Sequence, residues 1–176
     1  MSLFDLHLLG SPALRVPGVA VTAVDDEVRE FIEDLYQTMD AASGIGLAAN
    51  QVGDLRRIAV VDVDDRRFAM VNPSVRSAEG SAKGEEGCLS IPDLYADVVR
   101  PERIVLEALD PNGQPFTIEA DGLLARAIQH EIDHLDGILF IDHLSPLKRR
   151  LLVSRWKKDH KGEGVTKSLK TEAAGR

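Results

Sequence analysis

With 176 residues, 44% apolar and 28% charged, and a net charge of −8, the chain is long enough for one domain with a hydrophobic core of its own. No apolar run approaches membrane-spanning length, and the N-terminus lacks a basic leader and carries Asp5 inside its apolar run, so neither a membrane anchor nor a signal peptide is expected. Cys88 is the only cysteine, which excludes an intrachain disulfide and fits a reducing cytoplasm.

Residues 12–20, punctuated by Pro and Gly, read as an extended arm. Asp25 or Asp26 can cap a helix running to about Ala42, with Val28, Phe31, Ile32, Leu35 and Met39 at helical period on one face. A glycine-punctuated segment follows, Ser43-Gly-Ile-Gly-Leu-Ala-Ala-Asn-Gln-Val-Gly53. Ile58–Val63 and Phe68–Asn72 read as strands around a charged turn, Asp64-Asp65-Arg66-Arg67. A second pair is expected at Ile104–Asp110 and Pro115–Ala120, joined by Pro111-Asn112-Gly113. Asp121 can open a helix over Gly122–Asp136 that stops at Gly137, with Leu124, Ile128, Ile132 and Leu135 as its buried stripe. A last helix runs from Ser145 or Pro146 to about His160 and packs through Leu147, Leu151, Leu152 and Trp156. From Lys148 to Lys161 there are seven Lys or Arg against the single acid Asp159, so this segment carries +6 and the rest of the chain −14. Such a segment suits a negatively charged partner, or simply a solvated face. The element order predicts an α+β fold: antiparallel or mixed β-sheets packed around a central helix, with one helix N-terminal and one C-terminal to them.

That central helix carries His130-Glu-Ile-Asp-His134. Histidines four apart lie on one helix face and can share a metal ion, and Glu131 between them can handle the proton of an activated water. A catalytic site needs a third protein ligand and an open position. Downstream, His143, Asp142 and Asp136 are candidates without a recognisable motif. Upstream, Glu85-Glu-Gly-Cys-Leu-Ser90 offers the Cys88 thiolate, a good ligand for zinc or ferrous iron. The Leu89 N–H and the Gln51 amide are candidate donors for a developing oxyanion.

The three segments Gly44–Gln51, Glu86–Ser90 and Gln129–His134, in this order and spacing, closely resemble the peptide deformylases over about residues 3–160. Leu14-Arg15 and Leu144-Ser-Pro-Leu147 also look like that family. The resemblance implies removal of the formyl group from N-terminal formylmethionine of new polypeptides, in the bacterial cytoplasm. It implies Cys88, His130 and His134 as ligands of one divalent metal, natively Fe²⁺, with Zn²⁺, Ni²⁺ or Co²⁺ as substitutes in purified protein. Glu131 would be the base and acid, and Gln51 and the Leu89 N–H the oxyanion donors. Gly44, Ile45 and Gly46 would bind the substrate, Gly46 through its backbone, and Ile45 and Leu123 would line the methionine pocket. Arg126 stands at a position often apolar in the family, and is expected at the pocket mouth with its guanidinium on the peptide backbone. Asn50 stands where many relatives have proline, which predicts a less rigid turn before Gln51. The basic terminal helix is expected to meet ribosomal RNA through Lys148, Arg149, Arg150, Arg155, Lys157 and Lys158, whereas no contact with DNA or membrane is expected. Residues 1–161 are expected to form one catalytic domain, and 162–176, small and polar, a disordered tail. Two rival readings stay open: another HExxH metallopeptidase, or a silent binding protein stapled by the metal.

Overall fold

A two-residue strand, Leu6–His7 (β1), opens the fold and an arm leads from it to the first helix, Asp26–Ala41 (α1); the arm is not extended throughout as expected, because Pro12–Arg15 form a 3-10 turn that buries Leu14. The computed structural model describes residues 2–170. Asp25 caps α1 by accepting from the Val28 N–H, and the expected stripe of Val28, Phe31, Ile32, Leu35 and Met39 is buried. There follow β2 (Gly46–Ala48), β3 (Ile58–Val63), β4 (Arg66–Glu79), β5 (Ala82–Cys88), β6 (Ile91–Arg100), β7 (Arg103–Leu109), β8 (Pro115–Asp121), α2 (Gly122–Leu135), α3 (Pro146–Asp159) and β9 (Thr166–Lys167).

Five strands form one antiparallel sheet in the order β2-β3-β4-β7-β8. Alternation along β3 explains its position between the helices. Ile58 and Val60 point into the cluster that holds the α1 stripe, whereas Ala59, Val61 and Val63 point into the cluster that holds Leu124, Ile128, Ile132 and Leu135 of α2. Both faces of the sheet are therefore covered, and α2 is an internal helix. The antiparallel α+β architecture with helices N-terminal, central and C-terminal is the one expected. Asp64 and Asp65 both have positive φ and make the turn alone, so Arg66 and Arg67 already belong to β4. β4 is longer than expected because it serves two partners. A register shift after Val71, at Asn72 (φ 51°), lets its first half pair with β3 and its second half with β7.

β5 and β6 form a separate ribbon whose tight turn, Leu89-Ser90, sets Cys88 opposite Ile91. β6 buries Leu94, Ala96, Val98 and Arg100 in strict alternation. α3 is capped by Ser145, but it rests on the body mainly through Trp156, whose indole N–H donates to the Pro92 carbonyl. Leu147 and Leu151, expected to pack, are each 62% exposed.

The expectation of a disordered segment from 162 is corrected where the structure describes it. β9 pairs antiparallel with β1, the Leu8 N–H donates to the Val165 carbonyl (2.7 Å), and Leu169 is buried with the α1 cluster. One leucine placed in the core outweighs the polar composition around it. Residues 171–176 of that expected tail lie outside the described residues.

Candidate metal centre

α2 and the β5–β6 ribbon bring the metal-binding side chains together. The Nε2 atoms of His130 and His134 are 3.2 Å apart, and Cys88 Sγ lies 3.3 Å from His134 Nε2. All three ligand atoms lie within 4.8 Å of one another. Tetrahedral ligands at usual zinc distances stand about 3.3 Å apart for two nitrogens and about 3.5 Å for nitrogen and sulfur. The two measured separations match those values, so the donor set suits one ion. The downstream candidates are engaged elsewhere: His143 pairs with Asp133, Asp142 with Arg15, and Asp136 with Arg57.

Glu86, two residues before Cys88, orients this set. Its carboxylate accepts from His130 Nδ1 at 2.9 Å, from Arg100 Nε and Nη2 at 2.6 and 2.9 Å, and from Arg126 Nη1 at 2.7 Å. Burial alone would push this carboxyl up, but the hydrogen bonds from His130 and Arg100 outweigh it and hold it well below the usual range. A bond of this kind on Nδ1 fixes the imidazole with Nε2 toward the metal position. Arg100 continues the network to Asp133, which also contacts His143.

Gln51 is buried and held at both ends. Its Oε1 accepts from the Ala48 N–H at 2.9 Å, and its Nε2 donates to Ser90 Oγ at 3.1 Å and faces Cys88 Sγ at 3.6 Å. The turn before it is not loose, because the buried Asn50 side chain donates to the His134 carbonyl and ties this segment to α2. Leu89 begins the ribbon turn beside Cys88. Gly46 sits against Glu131 so closely that a Cβ there would stand 2.8 Å from a carboxylate oxygen, which only glycine avoids. Burial pushes the Glu131 carboxyl up to about 7, against the opposing pull of His130 and Arg100. A carboxyl poised near neutrality can both take and return a proton.

A cleft of about 500 Å³ opens on these groups, lined by Gly44, Ile45, Gly46, Gln51, Cys88, Leu89, Leu123, Arg126, His130 and Glu131. Ile45 and Leu123 are each about half exposed, two apolar side chains at the cleft. Arg126 lines this cleft, as expected of it, and is at the same time bound to the ribbon. Its guanidinium also donates to the carbonyls of Val98 and Ala82, both at 2.9 Å, and lies where a side chain on Gly84 would collide with Nε at 2.9 Å. Three strong acceptors on the ribbon hold it, so it braces the ribbon against α2 from the wall of the cleft. The roles of Glu86, Arg100 and Ser90 were not anticipated. The only sequence signal for Arg100 is a charged residue falling in phase with the buried positions of β6.

Two imidazoles and a thiolate around one cation position, with a buried carboxyl at the mouth of a cleft, define the class of the mononuclear metallohydrolases. A sequence model of the polypeptide deformylases matches residues 4–150, and the chain belongs to that family. It is 47% identical to the peptide deformylase of Alkalilimnicola ehrlichii over 85% of this chain and 86% of that one. It is 46% identical to that of Brucella suis over 90% and 94%. Among solved structures, a Legionella pneumophila peptide deformylase superposes with a TM-score of 0.85 at 40% identity, covering 90% of this chain and 95% of its own. The Ehrlichia chaffeensis peptide deformylase in complex with actinonin gives 0.88 at 36%, covering 92% and 99%. The chain is accordingly a metal-dependent hydrolase of the deformylase type. Among the described residues, no helix is long and apolar enough to cross a membrane.

Proposed function

We propose that the expected catalytic domain, extended by the packed segment through Leu169, acts as one unit that removes the formyl group from N-formylmethionyl peptides emerging during cytoplasmic protein synthesis. The observation that carries this reading is the convergence of Cys88, His130 and His134 beside Glu131, inside a cleft flanked by Ile45 and Leu123. A divalent ion there, Fe²⁺ natively, supplies a Lewis acid for the formyl carbonyl and makes a water molecule acidic at neutral pH. Purified protein is expected to accept Zn²⁺, Ni²⁺ or Co²⁺ as well.

The protein's own groups do the rest. Glu131 takes the proton from the attacking water as its oxygen bonds to the formyl carbon. Gln51 Nε2 and the Leu89 N–H stabilise the oxygen that gains charge. The carbon–nitrogen bond then breaks, Glu131 returns the proton to the departing amine, and formate and a free N-terminus result. Gly44, Ile45 and Gly46 lead into β2, which pairs with β3 on one side only, so its other edge can take the peptide as an added strand. The exposed basic side chains of α3 (Lys148, Arg149, Arg150, Arg155, Lys157 and Lys158) support docking on ribosomal RNA phosphate.

Anaerobic purification, metal analysis and turnover of formyl-Met-Ala test this together. Glu131→Gln should keep metal and fold but lose about 10²–10⁴-fold in kcat. Cys88→Ser should weaken or change metal binding. Cleavage of internal peptide bonds, with formyl-Met-Ala untouched, would instead establish another HExxH metallopeptidase. Tight metal with no turnover of either substrate would indicate the stapled binding protein.

A further inference from the structure

The two imidazoles of the metal centre are supported unequally. His130 presents its Nδ1 to the Glu86 carboxylate at 2.9 Å, whereas the buried His134 has an Nδ1 with no hydrogen-bond partner among the described residues. With Nε2 turned to the metal position, a neutral imidazole keeps its proton on Nδ1, and that donor needs an acceptor. A buried donor left alone is costly, and water cannot reach this one from the surface. Among the described residues, one other buried side-chain atom lacks a partner, and it is Asn50 Oδ1. One donor and one acceptor are thus stranded in the same interior.

Both atoms belong to residues that are already joined. Asn50 Nδ2 donates to the His134 carbonyl, and Asn50 is only 1% exposed. A carbonyl can accept only from the nitrogen end of an amide, so the end left over is the oxygen, an acceptor. The amide is therefore held on the residue whose ring needs one. Its backbone is fixed as well, because Asn50 lies in the turn Ala49–Val52, where Gln51 is bound to the Ala48 N–H and to Ser90 Oγ. We infer that Asn50 is a positioning residue for the metal centre: its Oδ1 accepts from His134 Nδ1, directly or through one trapped water, and keeps Nε2 on the ion as Glu86 does for His130. The inference rests on His134 being a metal ligand, and adds the group that orients it. One side chain then ties that ligand to the turn carrying Gln51.

The test uses the full-length, zinc-loaded protein and two substitutions. Asn50→Leu keeps the size of the side chain and removes both of its polar ends. Asn50→Asp keeps an acceptor and removes the donor to the His134 carbonyl. In chelator competition, Asn50→Leu should hold zinc about 10–100-fold less tightly, and Asn50→Asp should recover most of that loss. Wild-type zinc affinity in folded Asn50→Leu protein, or an equal loss in both variants, overturns the proposal, since the bond to the carbonyl would then be the whole role of Asn50. If neither variant folds, a crystal structure of the zinc-loaded wild type decides. His134 Nδ1 bonded to Asn50 Oδ1, or to one water that also bonds Oδ1, upholds the proposal, and Nδ1 bonded to any other group overturns it. A wild type that takes up no zinc counts against the ligand assignment instead, and its crystal structure still shows whether ring and amide are joined.

Discussion

One carboxylate, Glu86, joins the metal position to the scaffold, and its contacts decide what substitutions around it do. It is buried, and it holds His130, Arg100 and Arg126 at once. Removing one partner from a buried ionic cluster leaves the others unpaired, at a cost of about 3–5 kcal/mol. Glu86→Ala should therefore destabilise the protein by about that amount in denaturant titration. It should also weaken metal binding about 10–100-fold in chelator competition, because His130 loses the group that orients it. Wild-type metal affinity in a folded Glu86→Ala protein would show that His130 needs no such partner. Arg126 sits one step further out. Since three of its donors go to Glu86, Val98 and Ala82, Arg126→Met should lower stability by about 1–3 kcal/mol. Its effect on kcat/KM should be the same for short and long formyl-Met peptides, and a loss confined to longer peptides would return Arg126 to the substrate.

At the scale of elements, the two ways α3 meets its surroundings are separable. Trp156 anchors it, while Leu147, Leu151 and the basic side chains face outward. Reversing two of those charges, Arg150→Glu with Lys157→Glu, should weaken co-sedimentation with ribosomes at low salt and flatten its salt dependence by about two phosphate contacts. Co-sedimentation indifferent to the reversal would discard α3 as a docking surface. The same contrast shows which elements the sequence discloses. α1 was legible because its cap and apolar period agree, α2 because its apolar period runs over the whole element, β3 because it is a short β-branched apolar run, and His130, His134 and Cys88 because ligand chemistry restricts residue type. β5 was hidden because Ala82-Lys-Gly-Glu-Glu-Gly-Cys88 has almost no apolar alternation. It is a strand through pairing with β6 and the brace of Arg126, neither of which leaves a local pattern. β9 was missed for a related reason, since a two-residue strand has no period to detect and its burial rests on Leu169 alone. The ribbon contacts of Arg126 were hidden because two of its three acceptors are backbone carbonyls, which any sequence could supply.

Across the whole molecule, the N-terminal arm is tied to the turn that follows the metal helix, Phe140–His143, through one carboxylate, and this sets a pH dependence with a definite sign. Asp142 accepts from Arg15 Nη1 at 2.6 Å and Nη2 at 3.2 Å, and from the Leu139 N–H at 3.0 Å. Burial would push its carboxyl up, but the Arg15 and Leu139 hydrogen bonds outweigh it, so the folded value lies below the ordinary 3.8. A depressed carboxyl releases its proton more readily in the folded state. Its stabilisation is therefore complete above the unfolded pKa and is lost as pH falls through the folded one. Arg15 is nearly half exposed, so solvent screening limits the contribution of the pair to about 1 kcal/mol. Asp142→Asn should thus cost about 1 kcal/mol at pH 7 in urea titration. The gap between variant and wild type should stay constant down to about pH 5 and narrow only below the unfolded value near 3.8, since the native carboxylate is then being neutralised as the substitution already does. A gap that instead widened in acid would mean that the Asp142 carboxyl is raised by its burial, and that Arg15 contributes packing rather than charge to the junction of the arm with the metal helix.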